Sequence, residues 1–323
     1  MEGKFTWCFI GAGRLAGEVA EEILSSGRHE IASVYTHSPE KGRAFAQKHG
    51  CVAYDDARAA MTADGVQAVY VVTPHNAHYE YVKLAIELGK NVLCEKPFTT
   101  DAAQAEELFS LAREKGVYVA EAMWTWFSPI ANQVKRWLDE GAFGELSHVS
   151  VSHRVDVRGY AARLTDPNLA GGALLDTGVY PITYLRRLFG NPVKVVCSGV
   201  IEGGVDMEEE VDLTFADGRT VRASISMRDG RRIEEVRIAG TKAEMTLKGF
   251  HGANAVTLRR ADGTQETFAG DGSMLNEFTL ASEEILAGRT QSAYAPMQTT
   301  VDVMHILDEC RRQMKLVYPF ERG

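Results

Sequence analysis

The chain contains little cysteine. Its 323 residues include five cysteines and no Cys-x-x-Cys pair, which argues against a cysteine-rich zinc site and against a disulfide framework. Three of the five cysteines lie within apolar stretches. We therefore expect buried thiols in a reducing, cytoplasmic compartment, and no metal.

The chain also lacks excess positive charge and long apolar segments. Its net charge is -9 and its pI is near 5.6, whereas binding to a phosphate backbone requires basic surface, so no nucleic-acid partner is expected. The apolar N-terminal stretch of "MEGKFTWCFIGAGR" is too short to span a bilayer, and it runs into a glycine turn instead of a cleavage site. Neither a membrane anchor nor a signal peptide is expected, and the length predicts two globular domains.

Short apolar runs alternate with amphipathic segments in the first third of the chain. Continuously apolar strands separated by helices predict an α/β domain whose parallel sheet is covered on both faces. We assign this domain to residues 1–122. The predicted strands are 5–10, 31–35, 68–72, 91–94 and 117–121, and the predicted helices are 14–26, 39–48, 77–88 and 101–115.

The pattern changes after about residue 145, where β-rich segments with alternating polarity predominate. Residues 123–323 are predicted to form an α+β domain with one large, open, mostly antiparallel sheet, and its last helix is a candidate to pack on the first domain. Asp217-Gly218 predicts a hairpin turn. The predicted strand segments are 146–157, 193–201, 210–227, 232–240 and 243–249, and the helices are 173–189, 275–287 and 297–315.

The segment "GAGRLA" follows the first strand and opens the first helix. Gly11 allows a tight turn, Gly13 allows backbone to approach a pyrophosphate, and Ala16 permits close helix–strand packing. This strand–turn–helix context predicts a Rossmann dinucleotide site. The residues expected to contact the cofactor here are Gly11, Ala12, Gly13, Arg14 and Leu15.

The tip of the second strand carries hydroxyls and cations instead of an acid. An acidic residue there would bind the ribose 2′-hydroxyl and repel a 2′-phosphate. Here the tip has Thr36, His37 and Ser38, with Lys41 and Arg43 just beyond. This favours NADP, while NAD stays possible because the two cations are also compatible with a solvated helix face.

Polar residues stand where three further strands end. Thr73, Pro74, His75 and His78 follow one strand, Glu95 and Lys96 end the next, and Trp124 follows the last. Ligands of doubly wound sheets gather at the carboxyl ends of the strands, so these residues are expected in one crevice.

Four motifs in order, "GAGRLA", "TPHNAH", "CEKP" and "GGALLDTGVYP", give the chain a resemblance to the glucose–fructose oxidoreductase / inositol dehydrogenase (Gfo/Idh/MocA) family. "AEAMWTWF" and Tyr180 make it most similar to the dimeric dihydrodiol dehydrogenase and NADP-dependent D-xylose dehydrogenase branch. The resemblance implies that Lys96 lies beside the nicotinamide and the substrate carbon, with a cis bond to Pro97. It also implies that Glu95 lines the nicotinamide ribose or orients Lys96.

Tyr180 and Asp176 are four residues apart and share a face if the segment is helical, although Pro181 is expected to kink or restart that helix. Proton transfer from a hydroxyl suits a tyrosine beside an ammonium group. Lys96 and Tyr180 are therefore predicted as the acid–base pair, either of them moving the proton. Asp176 is predicted to bind the substrate or Lys96.

Four weaker candidates have ordinary structural explanations. Trp124 suits a wall that stacks on substrate or a core position, and Arg163 suits a polar substrate or solvent. His153 and Arg154 are no stronger, and His78 equally fits a role in packing its helix.

The resulting hypothesis is an NADP-dependent dehydrogenase acting on a hydroxyl of a cyclic polyol, such as an aldose or a trans-dihydrodiol. The alternatives are a redox-neutral, NAD-dependent glycoside hydrolase and a non-catalytic dinucleotide sensor. The resemblance further implies a homodimer that pairs through the C-terminal sheet, whose outer face has to be buried.

Overall fold

A computed structural model describes residues 3–321 of the chain. They form two compact units. The first unit contains residues 3–99, 103–123 and 274–297, and the second contains 100–102, 124–273 and 298–321. No helix among these described residues is both long and apolar enough to cross a membrane.

The first unit is a six-stranded, all-parallel sheet with helices, as predicted for an α/β domain. The strand order β3-β2-β1-β4-β5-β6 turns back on itself between β1 and β4, which places the carboxyl ends of those two strands at a topological switch point. The strands are β1 Phe5–Ile10, β2 His29–Tyr35, β3 Val52–Tyr54, β4 Ala68–Val71, β5 Asn91–Glu95 and β6 Val119–Ala122. The helices are α1 Arg14–Ser25, α2 Pro39–His49, α3 Ala57–Met61, α4 His78–Glu87, α5 Ala102–Lys115 and α9 Leu275–Leu286.

An aromatic cluster explains why α9 lies in the first unit. Phe278 of α9 is fully buried, and its ring lies 5.0 Å from that of Trp7 and 4.9 Å from that of Tyr70. Burying such a ring contributes about 1.5–3 kcal/mol. The sequence analysis placed residues 274–297 in the C-terminal domain, because its division of the chain assumed uninterrupted segments.

The second unit is built on an eight-stranded sheet in the order β14-β13-β12-β11-β7-β10-β9-β8. All its pairs are antiparallel except β7 with β10, which confirms the predicted mostly antiparallel sheet. The strands are β7 Leu146–Asp156, β8 Lys194–Glu202, β9 Val205–Thr214, β10 Thr220–Ser226, β11 Arg228–Gly240, β12 Ala243–Lys248, β13 Ala255–Arg260 and β14 Gln265–Ala269. The helices are α6 Trp124–Phe127, α7 Pro129–Asp139, α8 Val179–Phe189 and α10 Met297–Met314.

Several details of the second unit differ from the expectation, and among them the helices α6 and α7 were not predicted. The hairpin β13–β14 was missed, because β14 is almost wholly exposed and carries no apolar alternation. The segment predicted as one helix over 173–189 begins as a π-helix, Leu174–Gly178, and continues as α8.

The solvent face of this sheet is charged. The guanidinium group of Arg154 on β7 reaches Glu208, Glu210 and Asp229 at 2.8–3.3 Å. A second pair joins Arg222 and Asp212 at 2.7 Å. Ion pairs across the strands thus satisfy these side chains within one chain, and burial of the face against a second subunit stays a prediction.

Candidate functional site

The turn after β1 has a backbone that only glycine adopts comfortably. Gly11 has φ = +117°, and a Cβ atom at this position would lie 2.4 Å from the carbonyl oxygen of Val72. Its N–H donates to the carbonyl of Tyr35 at 2.8 Å. The glycine therefore packs β1, β2 and the segment after β4 together at their carboxyl ends.

The first turn of α1 suits a phosphate. Its N-cap, Gly13, provides no side-chain cap, the turn contains no acid, and no atom lies within 4 Å of the position a Gly13 Cβ would take. Unsatisfied N–H groups and the helix dipole favour an anion there. Ala16 is buried, Ala12 and Leu15 are partly buried, and Arg14 forms an exposed ion pair with Glu18 at 3.6 Å. A dinucleotide pyrophosphate fits this turn.

Side-chain hydrogen bonds hold the tip of β2. The Nε2 atom of His37 lies 2.9 Å from the hydroxyl of Tyr81, and its Nδ1 atom lies 3.4 Å from that of Tyr35. Ser38 is the N-cap of α2 and accepts a hydrogen bond from the backbone of Lys41 at 3.4 Å. The Lys41 side chain is exposed, and the methyl group of Thr36 faces Gly42.

The segment after β4 holds a buried imidazole between two carbonyl oxygens. His78 lies 2.8 Å from the Pro97 oxygen through Nδ1 and 3.0 Å from the Thr73 oxygen through Nε2. The Thr73 hydroxyl is buried with no hydrogen-bond partner among residues 3–321, so a bound ligand could supply one. His75 is buried and Pro74 is partly exposed beside it.

The end of β5 carries the predicted Glu95–Lys96 pair. The Glu95 carboxylate is buried and accepts from the Tyr70 hydroxyl at 2.6 Å and from the Lys96 backbone at 3.3 Å. The Lys96–Pro97 peptide is cis, as the resemblance implied, and Lys96 is partly exposed. Burial, with the Glu95 charge next, raises the pKa of Tyr70 well above its usual value.

Two more buried acids near this strand end were missed by the sequence analysis. Glu121 of β6 accepts from the Phe98 N–H at 3.1 Å. Glu277 of α9 is fully buried with neither oxygen hydrogen-bonded within the described chain, and burial followed by the Glu95 and Glu22 charges raises its pKa well above the usual range. No motif or spacing in the sequence marks either residue as part of a site.

The second unit has its own group of predicted site residues. The Trp124 indole N–H donates to the Tyr180 hydroxyl at 3.0 Å, and Tyr180 is buried in the first turn of α8. The preceding π-helical segment is fixed by Asp206, whose buried carboxyl accepts from the Leu174 N–H at 2.5 Å. Gly172, at φ = +129°, leaves the room that Asp206 needs, because a Cβ there would lie 2.1 Å from its Oδ1 atom.

The π-helical segment also brings Asp176 to Arg163. Their nearest side-chain atoms are 4.0 Å apart, and Asp176 is largely buried while Arg163 is partly exposed. The two polar candidates chosen from the loop and from the helix thus lie together. Whether they bind substrate stays a prediction.

A cluster beside Tyr180 contains three side chains from separate elements. The His251 ring centroid lies 4.2 Å from that of Tyr180, and the His153 ring lies 5.7 Å away. Glu234 of β11 lies near both imidazoles, with a nitrogen–oxygen distance of 3.4 Å to His251 and 3.8 Å to His153. Glu234 and His251 were missed, because nothing in "RIEEVRIAG" or "GFHGAN" marks them as partners. Arg154, by contrast, belongs to the ion pairs of the outer face.

Comparison with known proteins identifies two matching family models. One, described as "Oxidoreductase family, NAD-binding Rossmann fold", matches residues 5–123, and the other, described as "GFO/IDH/MocA C-terminal domain", matches residues 131–246. Together they cover more than two thirds of the chain, and they name the family that its motifs resembled.

Individual proteins agree over the whole length. The chain is 28% identical to trans-1,2-dihydrobenzene-1,2-diol dehydrogenase of Mus musculus, covering 98% of each chain. It is 28% identical to D-xylose 1-dehydrogenase (NADP(+)) of Hypocrea jecorina, covering 97% of this chain and 93% of the relative. The crystal structure of KijD10, a 3-ketoreductase from Actinomadura kijaniata in complex with NADP and TDP-benzene, has the same fold. It matches with a TM-score of 0.87 and 24% identity over 97% of this chain and 98% of that one.

Proposed function

We propose that this chain, which belongs to the GFO/IDH/MocA oxidoreductase family, is an NADP-dependent dehydrogenase of cyclic polyols. Membership makes it an NAD(P)-dependent enzyme acting on CH–OH groups. The proposed substrate class is an aldose or a trans-dihydrodiol, which the two named dehydrogenase relatives support.

The hydrogen bond between Trp124 and Tyr180 carries the proposal. An indole N–H can only donate, so the Tyr180 oxygen is the acceptor in this 3.0 Å bond. In substrate oxidation Tyr180 accepts the hydroxyl proton as a phenolate, and donation from Trp124 stabilises that phenolate before the proton arrives. We propose Tyr180 as the group that transfers the proton. In the alternative, Lys96 transfers the proton and Tyr180 holds the substrate oxygen.

Lys96 is proposed to hold the substrate oxygen through its ammonium group. The buried Glu95 carboxylate accepts from the Lys96 backbone, and the His78 ring contacts the Pro97 carbonyl on the other side. These contacts hold the chain on both sides of Lys96. When bound, the nicotinamide supplies the hydride acceptor, and substrate oxidation then releases one proton to the protein.

The proposed preference for NADP depends on the tip of β2. This tip carries no acid, and Ser38 begins a helix of eleven residues whose first N–H groups favour an anion. Lys41 adds a mobile cation, and the His37 ring is held by Tyr35 and Tyr81. We propose that these groups bind the 2′-phosphate, while the exposed Glu40 in the same turn weakens the site.

Substrate contacts are proposed for three further side chains. Trp124 provides an aromatic surface of the kind that stacks on a sugar or an arene. Asp176 is largely buried and suits a hydroxyl donor, and it lies 4.0 Å from the Arg163 guanidinium group. Asp176 lies on the π-helical segment, and Arg163 lies in the chain segment before it.

Homodimerisation and a cytoplasmic location are part of the proposal. The dimer is proposed to form through the outer face of the C-terminal sheet, as the family resemblance implies, with the exposed Arg222–Asp212 pair in the interface. The five cysteines are all unpaired, as thiols in a reducing compartment would be. Sedimentation analysis of the wild type and of Arg222→Glu tests the dimer.

The first experiment combines the purified protein with NADP⁺ or NAD⁺ and a panel of aldoses, inositols and trans-dihydrodiols. Reduced nicotinamide is followed by its absorbance. We expect turnover with an aldose or diol and a higher kcat/KM with NADP⁺ than with NAD⁺. Tyr180→Phe and Lys96→Ala are each expected to lower kcat by about 10²–10⁴-fold, the range for loss of a proton-transfer group.

Lys90→Ala is the matched control, because Lys90 binds the Val66 carbonyl elsewhere in the first unit. Its kcat should be close to that of the wild type. No turnover with any substrate, together with nicotinamide that leaves the protein only on denaturation, would support the redox-neutral hydrolase instead.

A further inference from the structure

We propose that His153, Glu234 and His251 form a binding site for a divalent transition metal, with Zn²⁺ as the best match. The three side chains come from β7, from β11 and from the loop after β12. Each offers one ligand atom, and these atoms lie within 4.8 Å of one another. The inference concerns metal binding alone and does not depend on the proposed dehydrogenase activity.

The ligand atoms of the three residues are close enough together to bind one cation. Zn²⁺ binds imidazole nitrogen and carboxylate oxygen at about 2.0–2.2 Å, so neighbouring ligand atoms of a tetrahedral site are roughly 3.3–3.5 Å apart. The Oε2 atom of Glu234 lies 3.4 Å from Nδ1 of His251, and its Oε1 atom lies 3.8 Å from Nε2 of His153. Both distances exceed the about 2.7–2.9 Å of a strong charged hydrogen bond and are close to the separation of ligand atoms around one cation.

The tautomer of His153 is set for metal binding. Its Nδ1 atom lies 2.9 Å from the Thr177 carbonyl oxygen, which can only accept, so Nδ1 carries the proton. In the neutral ring the Nε2 lone pair then points towards Glu234. Metal-ligating histidines almost always make such an outer hydrogen bond through the other ring nitrogen, and here the π-helical segment supplies its carbonyl.

Glu234 offers a charged ligand despite its burial. Its side chain is 8% exposed, and one oxygen binds the guanidinium group of the exposed Arg232 at 2.7 Å, while the other oxygen faces His251. Arg232 thus orients the carboxylate from outside and leaves the second oxygen for the metal.

Three protein ligands leave at least one coordination position for water or for a substrate hydroxyl, as in catalytic zinc sites. The site adjoins Tyr180, because the His251 ring packs edge-on against the Tyr180 ring at 4.2 Å. A hydroxyl-rich substrate that binds near Tyr180 would therefore also lie close to the proposed metal. A metal bound at this site would therefore be next to the residues of the second unit that are proposed to bind substrate.

The test is metal binding by the full-length, chelator-treated protein in the absence of substrate. Co²⁺ is titrated as a spectroscopic probe, followed by Zn²⁺ competition and by calorimetry. We expect one Co²⁺ per chain with the visible absorption of a four- or five-coordinate nitrogen–oxygen site, displaced by Zn²⁺. His153→Gln, Glu234→Gln and His251→Gln are each expected to weaken Zn²⁺ binding by at least about 100-fold, more than the 10–100-fold typical of outer-shell changes.

His148→Gln and Glu235→Gln are the matched controls. They remove a histidine and a glutamate from the same two strands, with His148 exposed and Glu235 paired with Arg237, and should bind Zn²⁺ like the wild type. Circular dichroism checks that each variant is folded. Absence of stoichiometric Co²⁺ or Zn²⁺ binding by the wild type, or equal binding by the folded site variants, overturns the proposal while leaving the dehydrogenase assignment untouched.

Discussion

His78 and Pro97 are joined across the carboxyl ends of two neighbouring strands. The Nδ1 atom of His78 lies 2.8 Å from the Pro97 carbonyl oxygen, while its Nε2 atom lies 3.0 Å from the Thr73 carbonyl oxygen. Because the ring is buried, it ties the segment after β4 to the one after β5. His78 thereby holds the backbone next to Lys96. The sequence analysis had considered His78 as a cofactor contact or as a residue that packs its helix.

His78→Ala is expected to lower kcat by about 10–100-fold and to destabilise the protein by about 2–4 kcal/mol. The variant leaves a cavity and at least one carbonyl group that has lost its hydrogen-bond donor. Steady-state kinetics and denaturant unfolding measure the two effects. Asn76→Ala, an exposed change in the same loop, should alter neither, and an unchanged kcat in a folded His78→Ala protein would contradict the positioning role.

Trp124→Phe is expected to shift the pH dependence of kcat. Loss of the 3.0 Å hydrogen bond removes a donor that favours the tyrosine phenolate. The rise of activity with pH should therefore move to higher pH, by up to about one unit, with a modest loss of kcat. Trp137→Phe, which removes an indole bond to Glu266 elsewhere in the same unit, serves as the control. An unshifted profile would mean that Trp124 only shapes the pocket.

Thr36→Asp is expected to reverse the cofactor preference. A carboxylate at the tip of β2 repels a 2′-phosphate and binds a 2′-hydroxyl. The ratio of kcat/KM for NADP⁺ over NAD⁺ should fall by about 10–100-fold, whereas the neutral Thr36→Asn should change it little. If Asp and Asn have the same effect, the tip of β2 does not contact the 2′ position.

Glu277→Gln is expected to change how stability depends on pH. Burial raises the folded-state pKa of Glu277, so above pH 4.5 the unfolded chain loses a proton that the folded protein keeps. This group therefore contributes stability at low pH that is lost as pH rises towards the folded pKa, by up to about 1.4 kcal/mol per unit. Glu277→Gln removes that loss, so the variant should gain stability relative to the wild type as pH rises from 5 to 8.

Denaturant unfolding at several pH values measures this difference. Glu283→Gln, an exposed change on the same helix, should show the wild-type slope. Equal slopes for the wild type and Glu277→Gln would mean that Glu277 ionises in the folded protein.

Patterns local to the chain were sufficient for five of the six strands of the first unit, whereas the short β3 and the helices α3 and α9 were not predicted there. The turn at Gly11 is specified by short-range backbone sterics, and the continuous burial of β1 is visible as an apolar run. The same holds for the Lys96–Pro97 dipeptide, where the motif marks the site by itself. In the hairpin β13–β14, the exposed edge strand β14 carries no apolar period, and β13 alternates over only four residues, so neither strand was predicted.

By itself, the sequence determined the dinucleotide turn, the parallel sheet and the identity of Lys96, Tyr180 and Asp176 as candidates, since each depends on neighbours within a few residues. Only the tertiary structure showed that Glu277 and Phe278 belong to the first unit. It alone also showed that Glu234 and His251 lie beside His153. Those partners are separated by tens to hundreds of residues, and strand order and register, rather than local spacing, bring such side chains together.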